Sequence, residues 1–172
     1  MLRQIIFVIL WLPAVTLLHA DDAPAIVQYG SVSTEMASEA AWGALKNCRQ
    51  QGYSVAVAVV DRGGNLQALV RDKLAGPHTV ETAIRKAWTA NSFRQSTSDL
   101  AEMMQEERIP SQVQHNPGAL QEGGGLKIDG SLLGGIGVSG APPGESEADS
   151  IDGKCAQAGI DSIQEALDFS GE

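Results

Sequence analysis

The side chains best suited to reversible chemistry in this sequence are two imidazoles, His78 in Gly76-Pro77-His78-Thr79 and His115 in Gln114-His115-Asn116-Pro117. A neutral imidazole can ligate a transition metal or exchange a proton near neutral pH. His78 directly precedes Thr79, which reads as the N-cap of a helix. The positive end of that helix disfavours imidazolium and keeps the ring able to coordinate. Pro77 stiffens its approach. His78 and His115 are therefore the candidate metal ligands, set against plainer roles: His78 as a hydrogen-bond partner of an open helix start, His115 as a surface residue of an aperiodic loop. Arg71, Arg85 and Arg94 are candidate partners for carboxylates. Arg85 also lies at i,i+4 from Glu81, and pairing within the helix is the commoner use of such an arginine. Trp88 and Phe93 could line an apolar site, or pack as core or subunit contacts.

Other motifs fail on context. Cys48 and Cys155 are too far apart in sequence for C-x-x-C redox chemistry or C-x-x-C-H haem attachment. They stand either as a bridge or as two buried thiols. Gly135-Ile136-Gly137-Val138-Ser139-Gly140 spells G-x-G-x-x-G but follows a hairpin, whereas a dinucleotide fingerprint needs a βαβ unit. Thin strand residues that let a helix approach closely explain the glycines better. Ser139 has no G-x-S-x-G elbow. Glu145, Glu147 and Asp149 could attract a cation, but their place at a helix start suits dipole compensation. No committed acid, base and nucleophile set is visible, which favours binding over conventional catalysis.

The elements that must position these residues follow from periodicity and punctuation. Ser33-Thr34-Glu35 opens a helix with Met36, Ala40, Ala44, Leu45 and Cys48 at helical spacing, and Gly52 ends it. Tyr53 to Asp61 is a strand covered on both faces, and Arg62-Gly63-Gly64-Asn65 turns it back into Leu66 to Arg71. A loop from Asp72 to His78 leads to a helix from about Thr79 to Phe93, with Ala83, Ala87 and Ala90 as a narrow packing stripe. Ser98-Asp99 caps a third helix closed by Pro110. Lys127 to Leu132 contains an Asp-Gly hairpin turn, with a returning strand from Leu132 to Val138. Ser146 caps a last helix reaching about Gly159, and the tail after Asp161 extends it. Hairpins separated by helices predict an antiparallel sheet flanked by helices, an α/β fold of the α+β kind.

Met1 to Gln4 is a short basic start, and Ile5 to Leu18 is apolar and uncharged, so residues 1–20 read as a secretory signal peptide cut after Ala20. His19 would leave with it. A retained anchor is disfavoured because the run is short, is interrupted by Trp11 and Pro13, and has no basic stop-transfer cluster after it. Residues 21–32 form a leader, and 33–172 a single domain, since the length suits one core. The formal net charge of -9, one unit more negative without Arg3, argues against nucleic acid and anionic membrane as partners. The expected place of action is the periplasm or the exterior.

Four motifs in order, Val57-Ala58-Val59-Val60-Asp61-Arg62-Gly63-Gly64-Asn65-Leu66, Ala75-Gly76-Pro77-His78-Thr79, Arg85-Lys86-Ala87-Trp88-Thr89-Ala90 and Gly134-Gly135-Ile136-Gly137-Val138-Ser139-Gly140-Ala141, closely resemble the GlcG/HbpS-like family. The resemblance implies a profilin-like fold with a five-stranded antiparallel sheet, assembly into homo-oligomers, and binding of haem and in some members iron. It makes His78, Thr79, Arg71 and Arg85 the expected cofactor-binding residues, with the arginines toward the propionates. Trp42, Trp88 and Phe93 are large groups that one small sheet need not cover, which agrees with self-association. The functional expectation is an extracytoplasmic haem or iron binder for scavenging, buffering or sensing. The alternative is a binding or accessory module for a small oxygenated metabolite or an exported oxidoreductase.

Overall fold

The fold was obtained as a computed structural model, which describes residues 25–106, 118–120, 124–128, 132–144 and 149–169. Its elements are α1 (Thr34–Gln50), β1 (Ala56–Asp61), β2 (Leu66–Arg71), α2 (Thr79–Phe93), α3 (Thr97–Gln105), β3 (Gly125–Ile128), β4 (Gly134–Ser139), α4 (Ile151–Asp161) and α5 (Gln164–Phe169). The Ser33 hydroxyl caps α1 by accepting from the Met36 N–H at 3.2 Å. Gly52, at φ 84°, takes the left-handed conformation that lets the chain leave it.

The strands form one antiparallel sheet in the order β2-β1-β4-β3. The described residues thus hold four strands, where the family resemblance had implied five. Val32 donates its N–H to Leu133 O at 2.9 Å beside the start of β4, but the chain turns into α1 at Ser33 before a further ladder can form. The returning strand begins at Gly134, paired with Ile128, rather than at Leu132, which sits at φ 56° in the connection. The Asp129-Gly130 turn lies outside the described residues.

Alternation along β1 gives the sheet two unlike faces. Val57 and Val59 point to the main core with Ile136 and Val138 of β4, under α1 and α4. Ala56 and Ala58 point the other way, toward Ala83 of α2. Gly137 lies opposite Ala58 in register and Gly135 opposite Val60, so this second face has little side-chain bulk. A Cβ at Gly137 would sit 2.2 Å from Ala83 O, and one at Gly135 2.3 Å from Ala87 O. The helix backbone therefore lies directly on the sheet, which agrees with the thin-strand reading of the glycine motif.

The starts of α3 and α4 differ from expectation. The cap of α3 is Ser96, whose hydroxyl accepts from Asp99 N at 3.0 Å, rather than Ser98. Likewise Ser150, accepting from Gly153 N at 3.3 Å, caps α4 in place of Ser146. In both segments several serines and acids adjoin, and only the hydroxyl in an extended residue three positions before a free N–H can cap.

Cys48 of α1 and Cys155 of α4 form a disulfide, with Cα atoms 5.5 Å apart, inside the main core. This decides between the two readings of the cysteine pair. A bridge closing a loop of this length stabilises by about 4 to 5 kcal/mol in the chain-entropy account. Thiol titration of the denatured, unreduced protein should find no free thiol from Cys48 and Cys155; two would contradict the bridge. Gly137→Ala should cost about 1 to 3 kcal/mol or more by overpacking, because the obstructing atoms are backbone. Urea unfolding checks this, and parental stability in the variant would mean that α2 does not touch β4.

Candidate functional site

The chain between β2 and α2 is tied down at each step. Asp72 donates its N–H to Val55 O at 2.9 Å, and its carboxylate accepts from Arg49 Nε of α1 at 2.7 Å. The Arg49 hydrogen bond and charge outweigh the opposing effect of burial and hold the Asp72 carboxyl below the usual aspartate range. Ala75 N–H then bonds Asp72 O at 3.0 Å, and Ala75 is buried. The loop is a braced turn from sheet to helix.

Three sequence-predicted site residues converge on Ala75 and Gly76. Arg71 donates from Nη2 to Ala75 O. Thr79 donates both its N–H, at 3.1 Å, and its hydroxyl, at 2.7 Å, to Gly76 O. The His78 ring lies over Gly76, where a Cβ would be 2.6 Å from Cε1, 2.9 Å from Nδ1 and 3.6 Å from Nε2. Gly76 is thus required by this packing, and Nε2 is the ring nitrogen farther from it. His78 and Arg71 are exposed, whereas Thr79 is buried.

Thr79 is not the N-cap expected from sequence. It is the first residue of α2, and the cap position belongs to His78, which makes no side-chain cap bond. The Thr79 hydroxyl is spent backward on Gly76 O, so it braces the loop instead of closing the helix end. The imidazole is likewise not used to hydrogen-bond the helix start.

Arg85 stands two turns along α2, roughly 10 Å from His78 by helical rise. Its guanidinium donates to Gly118 O at 3.5 Å from Nε and to Ala119 O at 3.3 Å from Nη2. It therefore fastens the 118–120 segment, helped by Thr89, whose hydroxyl accepts from Leu120 N at 2.9 Å. Arg94 is the C-cap of α2 in a left-handed conformation, about 24 Å from His78 along the helix, and belongs to the far end. His115 lies outside the described residues. Trp88 is half-buried with its indole edge against Gly64 in the β1–β2 turn. Asp149 pairs with Lys154 at 2.6 Å, whereas Glu145 and Glu147 lie outside the described residues. Among the described residues no group of three or more His, Cys, Asp or Glu side chains is placed to hold a metal ion.

Besides the Arg49–Asp72 pair, sequence reasoning missed a buried charged contact. Lys86 is buried on α2, and its Nζ lies 3.4 Å from Asp152 Oδ2 of α4, while Asp152 Oδ1 accepts from Ala141 N at 3.0 Å. The pair links the helices of the two sheet faces past Gly124, whose missing side chain leaves room: a Cβ there would be 3.3 Å from Nζ. The available signal was position, since Lys86 falls on the Ala83, Ala87, Ala90 stripe and so must be buried with α2.

A family profile described as haem degrading protein HbpS-like matches residues 32–161. Protein GlcG of Escherichia coli K12 is 31% identical over 108 residues, covering 63% of this chain and 81% of GlcG. The crystal structure of a double mutant of Streptomyces reticuli HbpS superposes with a TM-score of 0.73 at 34% identity, over 88% of this chain and 99% of that one. A PduOC–haem complex gives a TM-score of 0.66 at 28% identity, over 77% of this chain and 95% of that one.

The anchor of the loop should show in acid. Because the Asp72 carboxyl is held below its ordinary value in the folded protein, its stabilising effect is fully present above the unfolded value, near pH 4, and is lost as pH falls through the folded one. Asp72→Asn should therefore unfold more readily than the parent at neutral pH, with the gap closing as pH falls below about 4. Thermal unfolding across this range tests it; a gap independent of pH would contradict it.

Proposed function

This chain belongs to the HbpS-like haem-degrading protein family, and on that premise we propose that it binds haem at the start of α2, with His78 Nε2 as the ligand to iron. The observation that carries the reading is the meeting of an exposed imidazole and an exposed guanidinium on the Ala75–Gly76 peptide of a braced turn. Iron takes imidazole as an axial ligand, and haem carries two carboxylates that suit an arginine. Arg71 has further donors beyond the one given to Ala75 O and is the propionate partner. Arg85, engaged with the 118–120 segment, has a supporting role. The haem-bound relative of similar fold supports the same ligand class. Bound haem would supply the redox chemistry. This chain's own residues would hold the iron and fix one propionate.

The place of action in this reading is outside the cytoplasm. It is supported by the basic and then apolar residues 1–20, read as a signal, and by the Cys48–Cys155 bridge, a bond that persists in oxidising compartments. The role is binding, for scavenging, buffering or sensing, by a homo-oligomer.

Haemin added to the purified protein should give a shifted Soret band that His78→Ala removes while the circular dichroism spectrum is kept; His115→Ala should change little. The same Soret shift in His78→Ala as in the parent would reject the ligand assignment.

A further inference from the structure

Helix α2 covers β1, β4 and β3 but leaves the same face of β2 open. In register, Arg71 pairs with Ala56, Leu69 with Ala58 and Leu66 with Val60. Ala56 and Ala58 pack under Ala83 of α2, so Arg71, Leu69 and Leu66 all lie on the α2 side of the sheet. Val70 packs on the opposite core, as strand alternation requires. Yet Leu66 remains 45% and Leu69 39% exposed. Beside them runs a wall of α2 side chains at i, i+4 and i+8: Val80 and Ile84, half-buried against the Ala56 and Ala58 cluster, and Trp88 at the Gly64 turn. The third side is the 72–78 loop, where Leu74 is 76% exposed.

The geometry points to this ledge as the seat of a porphyrin ring: the macrocycle would pack against Leu66 and Leu69 beside α2, with one propionate toward Arg71 and the His78 imidazole facing the iron. The inference rests on the haem reading above and adds where the macrocycle rests. Four features select this occupant together. The floor is the open face of β2, apolar at Leu66 and Leu69. Trp88 offers an aromatic wall. Arg71 is a cation on the same face as Leu69, two residues away. An imidazole leans on the very peptide to which Arg71 is bonded. An apolar peptide or a second copy of this chain would use the leucines and the tryptophan but would give the imidazole nothing to do.

Iron-free protoporphyrin IX and haemin, titrated in parallel, separate the seat from the coordination. Leu69 is an outward side chain at the sheet edge, so Leu69→Glu should fold as the parent does by circular dichroism. Removing a leucine-sized apolar contact should weaken both porphyrins about tenfold or more. His78→Ala should weaken haemin and remove its Soret shift while leaving the iron-free ring nearly unaffected. Trp42→Ser, at an exposed tryptophan of α1, should change neither and so excludes adsorption to any apolar surface. Parental affinity for both porphyrins in Leu69→Glu would overturn the ledge as the seat and leave the His78 assignment standing. A change of mass in light scattering for Leu69→Glu, without loss of porphyrin affinity, would also overturn it by assigning the ledge to contact between copies. If the parent itself bound neither porphyrin, the haem reading would fall together with the ledge.

Discussion

The Ala83 carbonyl and the Gly137 Cα occupy space that a single methyl group would take away. Close-packed interiors transmit such constraints rather than absorbing them. Because β4 is bare at Gly135 and Gly137 and β1 presents Ala56 and Ala58 on the same face, α2 lies with its backbone on the sheet. Its axis is then fixed by backbone contact rather than by interdigitated side chains that could repack. Once that axis is set, so are the start of α2, the span of the 72–78 loop and the position of His78.

The two faces of the sheet divide the work. The bulky face, with Val57, Val59, Ile136 and Val138 under α1 and α4, carries the main core and the Cys48–Cys155 bridge. The thin face carries α2 and the candidate site. Two polar links couple them: Arg49 of α1 holds Asp72 at the root of the loop, and Lys86 of α2 meets Asp152 of α4 past Gly124. Breaking a buried pair of the second kind by removing one partner leaves an uncompensated charge, typically a cost of about 3 to 5 kcal/mol. The loop that presents His78 thus depends on contacts made on the opposite face.

Much of this was legible in the sequence. The alternation Val-Ala-Val-Ala in β1 announced a two-sided strand, and Ser33 and Gly52 marked both ends of α1. The stripe Ala83, Ala87, Ala90 and the glycines of β4 each read as thin, although nothing in the sequence said that they meet. The caps at Ser96 and Ser150 were misplaced because neighbouring serines have the same chemistry and differ only in backbone angle. Thr79 was read as a cap because its hydroxyl suits that role; the structure spends it on Gly76 O. Lys86 with Asp152, and Cys48 with Cys155, are pairings between distant segments that local pattern cannot express. The open face of β2 was illegible for a related reason. Leu66 and Leu69 look like ordinary strand residues until one knows which strands α2 covers.

The position of iron decides most directly whether His78 is the haem ligand. In a crystal structure of the haemin complex, iron should be bonded to His78 Nε2, with a propionate on Arg71. Iron held by a different side chain, with the His78 ring still resting on Gly76 and unbound, would contradict it.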